Sequence, residues 1–205
     1  MSVLRRAVAV PVVASFAVIV LAACATGSGG SAVPFGAAEP ALPSGEVVGQ
    51  GTVLEADGEA QLCLGPVADS YPPQCSGIPL DGWSWDGVDG SESSNGVTWG
   101  AYVVQGTYDG STLTVTAPPI LLALYDPMPM PDPTGGEPGS GDEATLADAQ
   151  DSLADRLGTD YVSSSIDNGY LWVDVVWDDG SYQDAADREF GEKVVVVRSA
   201  LREAA

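Results

Sequence analysis

VTWGAYVVQGTYDGSTLTVTAPP, residues 97–119, reads as two β-strands folded back on each other. Val, Thr, Trp and Tyr crowd the first run, Asp109-Gly110 supplies a tight turn, and Leu113 and Val115 alternate with threonines on the return. Upstream, GQGTVLEADG (49–58) has the same character and ends in a second turn at Asp57-Gly58, with AQLCLG (60–65) leading away from it. GIPLDGWSW (77–85) is a weaker strand. Five strands between residues 47 and 125, with a hairpin near the end, predict a small antiparallel barrel of the OB-like kind. A half-open sandwich fits the same pattern.

The chain then changes rhythm. DPMPMPDPTGGEPGSGDE (126–143) intersperses Pro127, Pro129, Pro131, Pro133 and Pro138 with four glycines, a composition that reads as a linker over 126–141. Beyond it, ATLADAQDSLADRLG (144–158) sets Leu146, Ala149, Leu153 and Leu157 on one helical face and stops at Gly158. YVSSSIDNGYLWVDVVW (161–177) is a hairpin on an Asn-Gly turn. SYQDAADREFG (181–191) is a short helix capped by Ser181 and stopped by Gly191, and KVVVVRS (193–199) is a strand of the buried type. The order α-β-β-α-β over 142–205 predicts helices on one face of a three-stranded sheet. The fold class expected is therefore α+β, in two small domains.

The N-terminus has the parts of an export signal. Arg5 and Arg6 provide the charged end, Ala7 to Val20 is apolar apart from Ser15 and Pro11, and Leu21-Ala22-Ala23-Cys24 closes the run. The run is at the short edge of the ~20 residues that a transmembrane span needs. The LAAC box resembles the lipobox of bacterial lipoproteins. That resemblance implies cleavage of residues 1–23 and a diacylglyceryl thioether on Cys24, followed by further acylation with chains such as palmitate. Two or three such chains hold a soluble domain stably at a membrane where one would not. Residues 24–46, rich in Gly, Ala, Ser and Pro without periodicity, read as a disordered tether. The expected location is the extracytoplasmic face of the cell membrane.

With Cys24 taken up by the thioether, two cysteines are left with free thiols, in LCLGPVADSYPPQC (62–75). Outside the cytoplasm, Cys63 and Cys75 most economically form one disulfide. Closing a loop of roughly a dozen residues removes on the order of 3 kcal/mol of unfolded-state entropy. Such a staple ties the loop after the second strand to the start of the third and compensates for a small core.

The segments LCLG…YPPQC, WGAYVVQGTYDG and DREFGEKVVVVRSAL together resemble an uncharacterised family of secreted or lipid-anchored actinobacterial proteins. The resemblance implies export and anchoring. It brings no catalytic or binding residues with it.

Composition narrows the chemistry. The formal charge is −22, and loss of Arg5 and Arg6 takes it to −24, a surface that repels nucleic acid. There is no histidine, which removes Ser-His-Asp, Cys-His and histidine-ligated zinc arrangements. A Ser-Lys dyad would need Lys193, the sole lysine, and a carboxylate pair of the glycosidase kind has no distinguishing spacing among 29 acids. The sequence thus points away from an enzyme, and no cofactor is expected. DGWSWDGVDGSES (81–93) gathers acids around glycines without the ligand order of an EF-hand loop. It also carries Trp83 and Trp85, whose rings either fill the barrel core or form a stacking surface. Trp99, within a strand, is expected to be buried. The functional expectation is a non-catalytic interaction module at the cell envelope, its partner an envelope protein. The alternative is glycan or small-ligand binding through Trp83 and Trp85, in which case their substitution is expected to weaken recognition with little loss of stability.

Overall fold

A computed structural model describes residues 33–126 and 129–204, and these form one compact unit. Cys24 and the segment read as an export signal lie outside the described residues. The fold is α+β: a closed five-stranded barrel followed by a three-stranded sheet with short helices.

The barrel strands are β1 (Val47–Ala56), β2 (Glu59–Cys63), β3 (Ile78–Asp81), β5 (Val97–Tyr108) and β6 (Leu113–Val115). A short β4 (Glu92–Ser94) and β7 (Ile120–Leu121) add to β5. Asp57 and Gly58 both have positive φ, 55° and 83°, the turn geometry that matches the natural twist of a two-residue hairpin between β1 and β2. β1 pairs with β2 on one side and along its whole length with β5 on the other, from Val47 opposite Gly106 to Ala56 opposite Val97. The circuit β1-β2-β3-β6-β5-β1 thereby closes. The barrel is mixed rather than wholly antiparallel as expected. β3 and β6 run parallel, Leu80 opposite Leu113, because the chain between them makes the β4–β5 excursion instead of a hairpin. Gly51 and Gly106 sit where a Cβ would overlap the carbonyls of Cys63 and Thr114, so glycine permits the close strand approach there. Val47, Val53, Leu62, Val104, Tyr102 and Leu113 fill the interior. Cys63 and Cys75 form the expected disulfide, with Cα atoms 6.0 Å apart.

In the second part, β8 (Tyr161–Asp167), β9 (Tyr170–Val175) and β10 (Val195–Ser199) form a sheet in the order β10-β9-β8, with β9 and β10 parallel through a helical crossover. Asn168 and Gly169 make the predicted turn, with φ of 50° and 78°. Leu171, Val173 and Val175 alternate onto one face and meet Leu146, Leu153, Leu157, Tyr182, Ala185 and Ala186 from the helices. The predicted helix over 144–158 is two short ones, α1 (Glu143–Gln150) and α2 (Leu153–Leu157). Ser152 diverts its hydroxyl to the Ala149 carbonyl at the break, yet the leucines still share one face. α3 (Ser181–Phe190) does stop at Gly191, but Ser181 is not its cap. Gly180 holds that position, and the carboxylates of Asp178 and Asp179 accept the Tyr182 and Ser181 amides.

The two parts are joined more closely than expected. Phe35, within the segment read as a tether, is fully buried in the helix–sheet core. The segment read as a linker is bound to the β8–β9 turn through Gly139 to Asn168 (2.9 Å) and Gly141 to Gly169 (3.1 Å), and Ser140 donates to Lys193 (2.9 Å). At the other end, Leu201 and Val176 pack into the barrel core, and β11 (Arg202–Glu203) pairs with β1. Apolar side chains at both ends of the described chain thus find their burial in the other part.

Candidate functional site

Because β3 and β6 are parallel neighbours, the segments that follow them leave the barrel at the same end. The first, residues 82–90, carries Trp83 and Trp85 and turns through Gly82, Gly87 and Gly90, all at φ between 73° and 80°. The second, Thr116–Leu124, is held to β5 by β7, with Tyr102 opposite Leu121. Between them is an open cavity of about 620 Å³, lined by Trp83, Asp86 and Asp89 from the first segment, by Ile120, Leu121 and Leu124 from the second, and by Tyr102 of β5. That volume is within the roughly 300–1,000 Å³ of small-ligand sites.

Tyr102 is the floor. It is 1 % exposed and donates its hydroxyl to the Asp89 carbonyl at 2.8 Å, which ties the acidic loop to the barrel. Burial, and secondarily the charge of Asp89, hold its hydroxyl above the ordinary tyrosine range, so it stays a proton donor. Trp83 and Trp85 meet edge to face at 5.1 Å and lean over Tyr102 at 5.5 and 6.0 Å. Both indoles are half-buried. The two expectations for them, core filling and surface stacking, therefore combine: one side of each ring packs on the core while part stays open. Their roles differ. Trp85 donates its indole N–H to Glu55 (3.1 Å) and lies off the cavity lining, whereas Trp83 lines it. The Trp83 indole nitrogen is buried with no hydrogen-bond partner among the described residues, a condition that costs about 1–3 kcal/mol.

Leu124 is 80 % exposed and Ile120 44 %, so the apolar wall continues onto the surface beyond the cavity. Neither residue was singled out by sequence reasoning. The available signal was TAPPILLAL (116–124), an apolar run after a double proline with no alternation to mark a strand. Trp99, expected to be buried, stands in β5 but is only half-buried, because the ring packed against it, edge-on at 5.3 Å, is that of Tyr71, itself 71 % exposed.

Among the described residues, no group of three or more Asp, Glu or Cys side chains is placed to hold a metal ion. Lys193 lies in the turn before β10, and Ser140 approaches it only through the lysine's carbonyl oxygen. A second cavity of about 480 Å³, lined by Leu64, Pro66, Ile78, Tyr161 and Val162 among others, carries no charged side chain. No helix among the described residues is long and apolar enough to cross a membrane. Comparisons with protein families, curated proteins and solved structures found no match for this chain.

Proposed function

We propose that this protein is a non-catalytic recognition module, held at the outer face of a cell membrane through lipidated Cys24, that binds its partner in the cavity at the barrel end. The observation that carries the reading is the continuity of a half-open aromatic ring, Trp83, with an exposed apolar wall ending at Leu124, on a base held by the closed barrel. A rigid scaffold with an apolar, partly exposed concavity is the usual form of a binding site. The LAAC box and the charged apolar segment before it support the anchor.

A glycan reading draws support from a specific pairing, an indole face beside the Asp86 and Asp89 carboxylates, which suit a sugar ring and its hydroxyls. Both readings place the ligand in the same cavity. The test is capture from a detergent extract of the native envelope, using the detergent-solubilised protein and a Leu124→Asp variant in parallel. Leu124 is surface-exposed, so the variant should fold as the parent does. Material retained by the parent and lost by the variant is the expected result. Equal retention by both would place recognition elsewhere. In the same cells, Cys24→Ala should leave the protein unprocessed or released, and mature-length protein still in the membrane fraction would refute the anchor.

A further inference from the structure

From Arg6 to Arg156 the chain has no lysine or arginine, so the whole barrel is built without a cation. Its acids, Glu55, Asp57, Glu59, Asp81 and others, have no internal counter-charge nearby in sequence. Of the basic residues further along, Arg156 is paired with Glu189 (2.7 Å) and Arg198 with Asp174 (2.8 Å) in the second part, and Arg202, on the β11 strand added to β1, donates to the Pro129 carbonyl. The barrel thus presents one sign of charge, and the cavity concentrates it. Asp86 and Asp89 are exposed on its bank, and neither carboxylate accepts a hydrogen bond or ion pair from any described residue. The half-buried indole of Trp83 lines the cavity beside them, and the aliphatic side chains of 118–124 line it from the neighbouring segment.

Resting on the reading that this cavity is the binding site, we infer that it takes a lysine or arginine side chain presented by a basic, apolar-flanked segment of a partner protein. Three features of such a segment match the cavity. Its cationic head meets Asp86 and Asp89 and is attracted to the quadrupole of Trp83. The methylene stem lies along Pro118 and Leu121, as long basic side chains do over apolar surface. Apolar neighbours in the segment cover Ile120 and Leu124, which extend past the cavity mouth. A lone small amine would leave those two side chains in water, which is why a polypeptide is the better fit. The negative field of the barrel would also speed encounter with a basic partner.

The experiment uses the detergent-solubilised protein and a blocked Leu-Lys-Leu-Lys peptide, followed by calorimetry and by the indole signals of the tryptophans. The same peptide with acetylated lysines and a chitooligosaccharide serve as comparison probes. Binding of the lysine peptide is expected to weaken about tenfold on acetylation, and by a similar factor in Asp86→Asn/Asp89→Asn. It should also fall steeply toward 1 M salt, where the Debye length is about 3 Å. A charge-matched control, Asp57→Asn/Glu59→Gln at the β1–β2 turn, should bind as the parent does. Equal weakening by the control pair would mean diffuse attraction to an acidic surface and would overturn the inference. Acetylated and free peptides binding equally, with loss in Leu124→Asp, would overturn the cationic assignment while leaving the cavity as the binding site. Binding of the sugar alone would likewise replace the cationic class by a glycan. If no probe binds, the inference is refuted, and the capture experiment with Leu124→Asp decides separately whether the cavity is a site at all.

Discussion

Tyr102 belongs to the core and to the site at once. Its ring is buried in the barrel, and its hydroxyl holds the backbone of the loop that carries Asp86 and Asp89. Trp83 rests on it, and for that reason the expected separation of binding from stability at Trp83 does not hold. Trp83→Ala would remove a half-buried ring packed on Tyr102 and Trp85, and we expect a loss of about 2 kcal/mol in denaturant unfolding, below the range for fully buried Trp. Trp83→Phe keeps most of that packing and should cost less than about 1.5 kcal/mol. A Trp83→Ala protein as stable as the parent would show that the ring contributes nothing to the core. At the other end of β2, the Cys63–Cys75 bond spans a loop that has one isolated bridge of its own, between Ala68 and Gln74. Replacing both cysteines by serine should lower unfolding free energy by about 3 kcal/mol, read from the same denaturant curves.

At the scale of elements, the segment entering the fold is held by a three-way contact. The Glu189 carboxylate near the end of α3 accepts the Phe35 amide (2.9 Å) and the Arg156 guanidinium (2.7 Å), and Arg156 in turn lies over the Phe35 and Phe190 rings. The Arg156 hydrogen bond holds the Glu189 carboxyl below the ordinary glutamate range. Its contribution is therefore present above the unfolded glutamate value, about 4.3, and is lost as pH falls through the lower folded value. Hydrogen exchange at the Phe35 amide should accelerate on acidification through that window relative to amides of β5. In Glu189→Gln that acid-dependent step should vanish. An unchanged step in the variant would assign the titration to another group.

Over the whole molecule, the reciprocal burial of Phe35 and Leu201 makes the two parts interdependent. Neither core is closed without a side chain delivered from the far end of the chain. Leu201→Ala in the barrel core and Leu146→Ala in the helix–sheet core should each cost about 3 kcal/mol, within the usual range for buried leucine. Both should shift one shared transition, seen alike by tryptophan fluorescence and by far-ultraviolet circular dichroism. Two separate transitions, with each variant moving only one, would show that the parts fold independently as their composition suggests.

Local physics decided what could be read directly from the chain. The five barrel strands are legible because alternation and Asp-Gly turns act within a few residues, and the disulfide because only two cysteines lie beyond Cys24. The leucine face of the first helical stretch survives its break at Ser152 for the same reason, since spacing alone determines it. Tertiary structure alone decided the rest. Gly, Ala and Pro around Phe35 carry no periodic signal, yet one phenylalanine among them gains on the order of 2 kcal/mol by entering a core more than a hundred residues away. The prolines and glycines of 129–141 look like a free linker because the backbone hydrogen bonds that fix the segment's end, from Gly139 and Gly141, are made to a distant turn. The parallel pairing of β3 with β6 brings Trp83 and Leu124 to the lining of one cavity, and a non-local pairing of this kind has no local sequence signature.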